Sequence, residues 1–501
     1  MPSNSFLPPR FWGKEHVAAS LQWLCLTGAN WFILAFMFVA FSSLTYPFNF
    51  EWMEGMSIDI IGRIMHGLPV YTKPSIEYVP YIYTPLYFYI CALVAEITGL
   101  GFFPARLVST LAALGIGVVI YLWIHKKNGD WEAGIIGAGL FFATYRLSGR
   151  WFDNSRVDSL FLFLTLLSLY IYTHYRNHRP ALLAALIATA AFFTKQTALF
   201  MILPVLAAGF FIERRDTLIM AVAMALLLGS LILLANYMSD GWFDFFVFTL
   251  PAGHGIEKHM LWDFWSGDIF HPLLILFIIS VVSVMYYTVE NRQTGLFYAA
   301  LLAGGIAASY IARLHGYGWI NVLMPIHAVL ALMTGLAFAH IKQRNTPWLM
   351  AALALAMLWQ MHSLLYNPKT LIPDEKSIEA GNRFLEQLAK IKGDVFIPEL
   401  QYVQTRAGKK SYALGMGAFD LFRSDLKERN DVKKAFQTEL ERAIADGRFS
   451  AIIPGRLVPT PGLDLYYTPR DHLTYPKEYV SGAINFLRTD LFVRIPNANH
   501  P

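Results

Sequence analysis

The chain has 501 residues, 55% of them hydrophobic and only 15% charged, and its mean hydropathy is +0.42. An ordinary soluble domain carries roughly a quarter charged residues, so the composition excludes a soluble globular protein and reads as a polytopic membrane chain. The net charge of +5 comes from Lys and Arg in short loops rather than from a basic patch, which excludes nucleic-acid binding, and the two cysteines, Cys25 and Cys91, are too isolated for a disulfide framework or a metal site.

The first apolar segment, about 21–46, follows Arg10 and Lys14 and is too long for a signal-peptide core, so it reads as an uncleaved membrane helix. Further spans are predicted at about 104–124, 131–148, 157–173, 181–194, 197–212, 217–237, 270–288, 295–313, 319–340 and 347–366. That makes about eleven helices. Placing Lys126–Lys127, His174–Arg179, Arg214–Arg215, Arg292, and Lys342 with Arg344 on the cytoplasmic side gives a consistent alternation with the N-terminus inside. Two segments are expected to lie in the outer interface: Met56–His66, with Ile58, Ile61 and Met65 on one side and Asp59 and Arg63 on another, and Tyr83–Leu100, which opens on YTPLYFY. Lys195 sits in Thr194-Lys195-Gln196-Thr197 between two short apolar halves, either as an intramembrane cation or as a snorkelling one. A second outer loop, 239–270, packs five aromatics between Trp242 and Phe248 and reads as a lid or interfacial helix, with metal binding by His254 and His259 as a minor alternative. From Asn367 onward the charge density becomes ordinary. Strand-like runs at Asp394–Pro398 and Ser450–Pro454 flank a helical pattern at Val432–Asp446. The expected fold is therefore an all-α polytopic membrane domain over 1–366 and a small soluble α/β domain over 367–501, the latter without a catalytic signature.

This topology gathers polar residues on the outer face: Glu51, Glu54 and Asp59, then Arg150, Asp153, Arg156 and Asp158, then Lys195, then Arg313, His315, Tyr317 and Asn321. Charge between apolar segments marks a functional site by default. Acids beside cations suit an anion held next to a general base, with Arg clamping phosphate oxygens and Lys acting as a point charge. An outer-face enzyme has no access to cytoplasmic nucleotide sugars, so a lipid-linked donor is implied. The reaction that fits is glycosyl transfer from a polyprenyl-phosphate sugar, with a carboxylate deprotonating the acceptor hydroxyl. Each acid also has a plain reading as a solvated loop residue. A secondary transporter or flippase for a lipid-linked or anionic substrate is the rival reading, disfavoured by the missing internal repeat.

Several short motifs occur in a characteristic order: Glu54-Gly55, His66-Gly67-Leu68-Pro69-Val70-Tyr71, Thr84-Pro85-Leu86, Ala105-Arg106-Leu107-Val108-Ser109, Val157-Asp158-Ser159-Leu160, Thr194-Lys195-Gln196 and the late Gly318 to Pro325. Over about residues 20–340 this series resembles the GT-C superfamily of integral-membrane glycosyltransferases, in particular the branch of the protein O-mannosyltransferases and the lipid A aminoarabinose transferase. The chain departs from that pattern in three places. Met53-Glu54 replaces the usual Asp-Glu pair, Gln196 replaces a Gly, and the late span lacks its usual Arg-Tyr. The resemblance implies Glu54 as leading general base with Glu51 second, and Asp153 or Asp158 orienting the acceptor or the cations. It also implies Arg156, Lys195, His315 or Arg313 on the donor phosphate, and Asp59, Tyr83, Tyr317 and Asn321 around the substrate. It implies inversion at the anomeric carbon, no cofactor, with a divalent metal as the alternative, and residence in a bacterial cytoplasmic membrane with the site and C-terminal domain outside. The expected partners are a polyprenyl-phosphate sugar and a glycan, lipid or protein acceptor.

Overall fold

The computed structural model describes residues 13–496 except 176, 428, 474 and 477–489. Arg10, Arg176 and the outer ends of both expected domains lie outside the described residues.

A helix forms at each of the eleven predicted spans. The first nine helices of the chain are α1 (Lys14–Ser43), α2 (Glu54–Met65), α3 (Leu86–Thr98), α4 (Phe102–Asn128), α5 (Trp131–Ala143), α6 (Asp158–His174), α7 (His178–Thr194), α8 (Ala198–Ile212) and α9 (Arg214–Met238). They are followed by α10 (Trp242–Ala252), α11 (Met260–Glu290), α12 (Arg292–Leu314), α13 (Met324–Gln343) and α14 (Pro347–Ser363). Among the described residues, six helices are long and apolar enough to cross a membrane, and a bent pair around Ser363–Pro368 makes a seventh. Helices α5 to α8 are shorter, 13 to 17 residues each. Helix α13 is the hub: with the short turn before it, 94% of its apolar window is buried. Both faces of this helix are apolar because both meet other helices rather than lipid.

Close approach explains one glycine of the bundle. Any side chain at Gly139 on α5 would run into the backbone of Ala29 on α1, so only Gly lets these two helices touch.

The two interfacial expectations fare differently. Helix α3 buries Tyr87, Phe88, Cys91 and Ala95 while exposing Leu93 and Ile97, an apolar outer face suited to lipid. Helix α2 is not at a lipid surface. Ile58, Ile60 and Ile61 are fully buried, and Asp59 on its polar side accepts hydrogen bonds from the Tyr402 amide (3.2 Å) and the Ser411 hydroxyl. The polar stripe that suggested an interfacial helix is thus covered by the C-terminal segment. Gly55 has the same cause, since a Cβ there would collide with the carbonyl of Gln401. Helix α2 ends at Gly67, whose φ of +67° only Gly adopts without strain, and the Leu68 amide returns to the carbonyl of Arg63 (2.9 Å).

The C-terminal segment carries helices α15 (Glu375–Lys390), α16 (Gly415–Arg423) and α17 (Asn430–Ala445). Its sheet contains β1 (Val395–Phe396), β2 (Ala451–Ile452), β3 (Tyr467–His472) and β4 (Asp490–Arg494), in the order β1-β2-β4-β3. Strands β1 and β2 pair in parallel, and the other neighbours are antiparallel. Both predicted strand runs fall on β1 and β2. One apolar core runs from Trp52 and Ile58 through Phe88 to Phe396, Leu421 and Ile452, so this segment is packed onto α2 and α3 and not tethered beside them.

The variant G139L should therefore force α1 and α5 apart and lower stability by about 1–3 kcal/mol, the usual cost of overpacking. Thermal unfolding of the detergent-solubilised protein reads this directly.

Candidate active site

The loop after α1 turns sharply through Phe48 and Phe50 and delivers two acids, Glu51 and Glu54, whose surroundings differ. Glu54 is fully buried and saturated. Its Oε1 accepts from Arg106 Nε (3.0 Å) and the Ser155 amide (2.8 Å), while its Oε2 accepts from Arg106 Nη2 (2.7 Å) and the Phe50 amide (2.6 Å). Arg106 in turn donates to the carbonyls of Tyr46 and Phe48, both at 2.6 Å, and lies 3.5 Å from the centre of the Phe50 ring. Burial alone would raise the Glu54 carboxyl, but the Arg106 guanidinium and the two amides pull it below the ordinary carboxylate range.

Glu51 is buried as well, yet only half satisfied. Its Oε2 accepts from the Met53 amide (2.9 Å), while Oε1 has no hydrogen-bond partner and lies 3.6 Å from Arg156 Nη1. Burial pushes the Glu51 carboxyl up to about 7 against the pull of Arg156 and the Met53 amide.

Two chambers share part of their walls here, and this acid lines the first. The first, about 260 Å³, is lined by Glu51, Trp52, Glu257, His259, Arg313 and Phe419, among others. The second, about 540 Å³, is lined by the polar Arg156, Lys195, His315, Asn321 and Arg423 and by the apolar Phe200, Phe248, Ile311 and Val322, among others. They share Met53, Trp151, Tyr317, Gly318, Trp319 and Met416.

Each cation of the second chamber is held. Lys195 leaves the α7–α8 break and reaches Asp158 Oδ1 at 2.7 Å, where the Asn321 amide also donates (3.0 Å). Of the two sequence readings of this Lys, the inward one is observed. Arg156 donates to the Tyr83 hydroxyl (2.9 Å) and the Met53 sulfur (2.7 Å). Gln196, where the resemblance expects Gly, donates to the carbonyls of Ile82 (2.7 Å) and Val247 (3.1 Å) and so ties α10 to the loop before α3.

The remaining sequence-predicted residues are placed as follows. Tyr83, Tyr317 and Asn321 line the second chamber. Among the described residues, Glu54, Asp59, Asp153 and Asp158 line neither chamber. Asp153 accepts from the Tyr145 hydroxyl (2.7 Å) and pairs with Arg150 at 3.4 Å. Arg313 lines the first chamber rather than the second and is engaged by Asp268 (2.8 Å) and the Gly318 carbonyl. His315 is paired with His254 (3.0 Å), and burial together with Arg423 lowers its proton affinity. His254 and His259 do not form a metal pair. His254 bonds to His315 and the Asp420 carbonyl, whereas His259 is exposed beside Glu257. Among the described residues, no three His, Cys, Asp or Glu side chains converge as a metal-binding group.

Sequence reasoning gave no role to Arg106, although a charge inside an apolar span is itself a signal. It also missed Trp151, Met416, Asp420 and Arg423.

Comparison with known proteins bears on the fold and family. The family described as dolichyl-phosphate-mannose-protein mannosyltransferase matches residues 80–239. The structure is similar to that of ArnT from Cupriavidus metallidurans bound to undecaprenyl phosphate, with a TM-score of 0.56 and 12% identity over 94% of this chain and 98% of that one. It is also similar to the Archaeoglobus fulgidus oligosaccharyltransferase tethered to an acceptor peptide containing the NVT sequon (TM-score 0.53, 13% identity, 91% of this chain and 73% of that one). No curated protein matches by sequence. The resemblance read from the motifs is borne out, and the family match and shared fold together support a membrane glycosyltransferase.

The two acids should separate on stability. E54Q leaves Arg106 buried and uncompensated, which typically costs about 3–5 kcal/mol. E51Q keeps an acceptor for the Met53 amide and gives up only the 3.6 Å contact with Arg156, whose guanidinium stays hydrogen-bonded to Tyr83, so it should cost clearly less than E54Q. Thermal unfolding of both variants checks this.

Proposed function

We propose that the chain transfers a sugar from a polyprenyl-phosphate donor to an acceptor hydroxyl at the outer face of a bacterial cytoplasmic membrane, with Glu51 as general base. The observation that carries this reading is the bare Oε1 of Glu51, an acid that lines the first chamber, 3.6 Å from Arg156, which lines the second. The second chamber suits a lipid phosphate because its wall combines cations with apolar side chains. ArnT has been crystallised with undecaprenyl phosphate, and the A. fulgidus AglB with dolichol-phosphate and an inhibitory peptide.

In this reading the donor phosphate lies against Arg156 and Lys195, and its chain follows Phe200, Phe248 and Ile311. The acceptor enters the first chamber, whose Trp and Tyr rings offer flat apolar faces. Glu51 Oε1 takes the hydroxyl proton as the acceptor oxygen bonds to the anomeric carbon. The bond from that carbon to the phosphate oxygen breaks, and the departing charge falls to the two cations. Attack opposite the leaving group inverts the anomeric centre. A carboxyl raised to about 7 suits a base working near neutrality. Glu54, first in the motif-based order, passes to a supporting role here because its four acceptor positions are filled.

Transfer from an undecaprenyl-phosphate-linked sugar in proteoliposomes tests this. E51Q should lose roughly 10²- to 10⁴-fold in kcat with donor binding retained, and R156M or K195M should weaken donor binding. Wild-type E51Q activity would overturn the assignment. The base acts only when deprotonated, so kcat/KM should rise as pH increases through about 7 and level off above it. A flat profile from pH 5 to 9 contradicts Glu51 as base.

A further inference from the structure

Helix α16 of the C-terminal segment reaches the chamber that holds Arg156 and Lys195, and Arg423 at its end is part of the wall. The guanidinium is held firmly. Nε (2.9 Å) and Nη2 (2.6 Å) both donate to Asp420 Oδ1, and Nη1 donates to the carbonyl of Gly316 in the turn between α12 and α13. The rings of Tyr317 and Phe419 lie 5.4 and 5.3 Å from its central carbon and meet each other edge to face. Three of its five N–H groups are thereby used, and two remain for a ligand.

Asp420 is fully buried and its Oδ2 has no hydrogen-bond partner, while its Oδ1 takes both Arg423 hydrogen bonds and lies 3.7 Å from His254 Nε2. The neighbouring His254 touches Asp420 on one side and His315 on the other. The charges of Arg423 and Lys195 both lower the proton affinity of His315, and all three residues line the same chamber.

We infer that Arg423 is a third cation of the donor-phosphate site, oriented by Asp420, so that the C-terminal segment completes the donor pocket. The inference rests on the lipid-linked-donor reading above. A planar fork with two free donors suits the oxygens of a phosphate monoester or diester, and its pre-set orientation avoids the entropy of ordering a long side chain on binding.

Binding of undecaprenyl phosphate and of undecaprenol to the full-length protein in nanodiscs tests this, with thermal unfolding recorded for every variant. R423M should weaken undecaprenyl phosphate about tenfold, a typical loss for one charge-assisted contact, and leave undecaprenol unchanged. R423K keeps the charge but not the fork and should lose about threefold on the phosphate alone. Unchanged binding of undecaprenyl phosphate to R423M, or an equal loss of both lipids, overturns the inference. Should R423M fail to fold, R423K decides: a loss confined to the phosphate supports it, and any other result overturns it. R156M separates the two levels. If R156M loses phosphate affinity and R423M does not, the inference fails and the donor reading stands. If no variant distinguishes phosphate from alcohol, the donor reading itself fails.

Discussion

The buried pair of Glu54 and Arg106 is the contact on which the rest of the site is hung. Two charges are tolerable in a buried setting only when their lone pairs and protons are well used, and here all four acceptor positions of the carboxylate and four of the five guanidinium N–H groups are. The carboxylate takes two guanidinium N–H groups and the amides of Phe50 and Ser155, and the guanidinium takes the carbonyls of Tyr46 and Phe48. One interaction therefore fixes α2, α4, the loop after α1 and the loop before α6. Glu51 sits three residues before Glu54, and Arg156 follows Ser155, so the acid and the cation that face the chambers inherit their positions from this pair.

A second constraint is charge balance. Three cations line one chamber, and without counter-charges they would repel one another and resist burial. Each has a carboxylate: Lys195 has Asp158, Arg423 has Asp420, and Arg156 has Glu51 at the longer distance of 3.6 Å. The two short pairs hold their cations in place. The long one leaves Glu51 only loosely neutralised, which agrees with its raised carboxyl.

Hydropathy made the helices legible. Each apolar run became a helix, and the break at Lys195 lies between α7 and α8 as the sequence indicated. Which of the two acids is tied down was not legible, because Arg106 reaches Glu54 from 52 residues away. Helix α2 was misread for a similar reason. Its polar stripe is amphipathic by pattern, but Asp59 meets Tyr402, 343 residues later, and not lipid headgroups. Asp420 and Arg423 lie in a stretch of ordinary charge density, where nothing local sets them apart from any solvated pair. Only tertiary placement brings Arg423 into the wall of the chamber that Lys195 also lines. Motif spacing reports on neighbours within an element, whereas these contacts join elements far apart in the chain.

The wall supplied by Met416, Phe419 and Arg423 has a consequence for how the protein comes into being. A ribosome finishes and inserts the helical bundle before it has made residue 415, so the nascent bundle holds its chambers open on one side. The chambers gain this wall only once the last part of the chain has folded against the bundle.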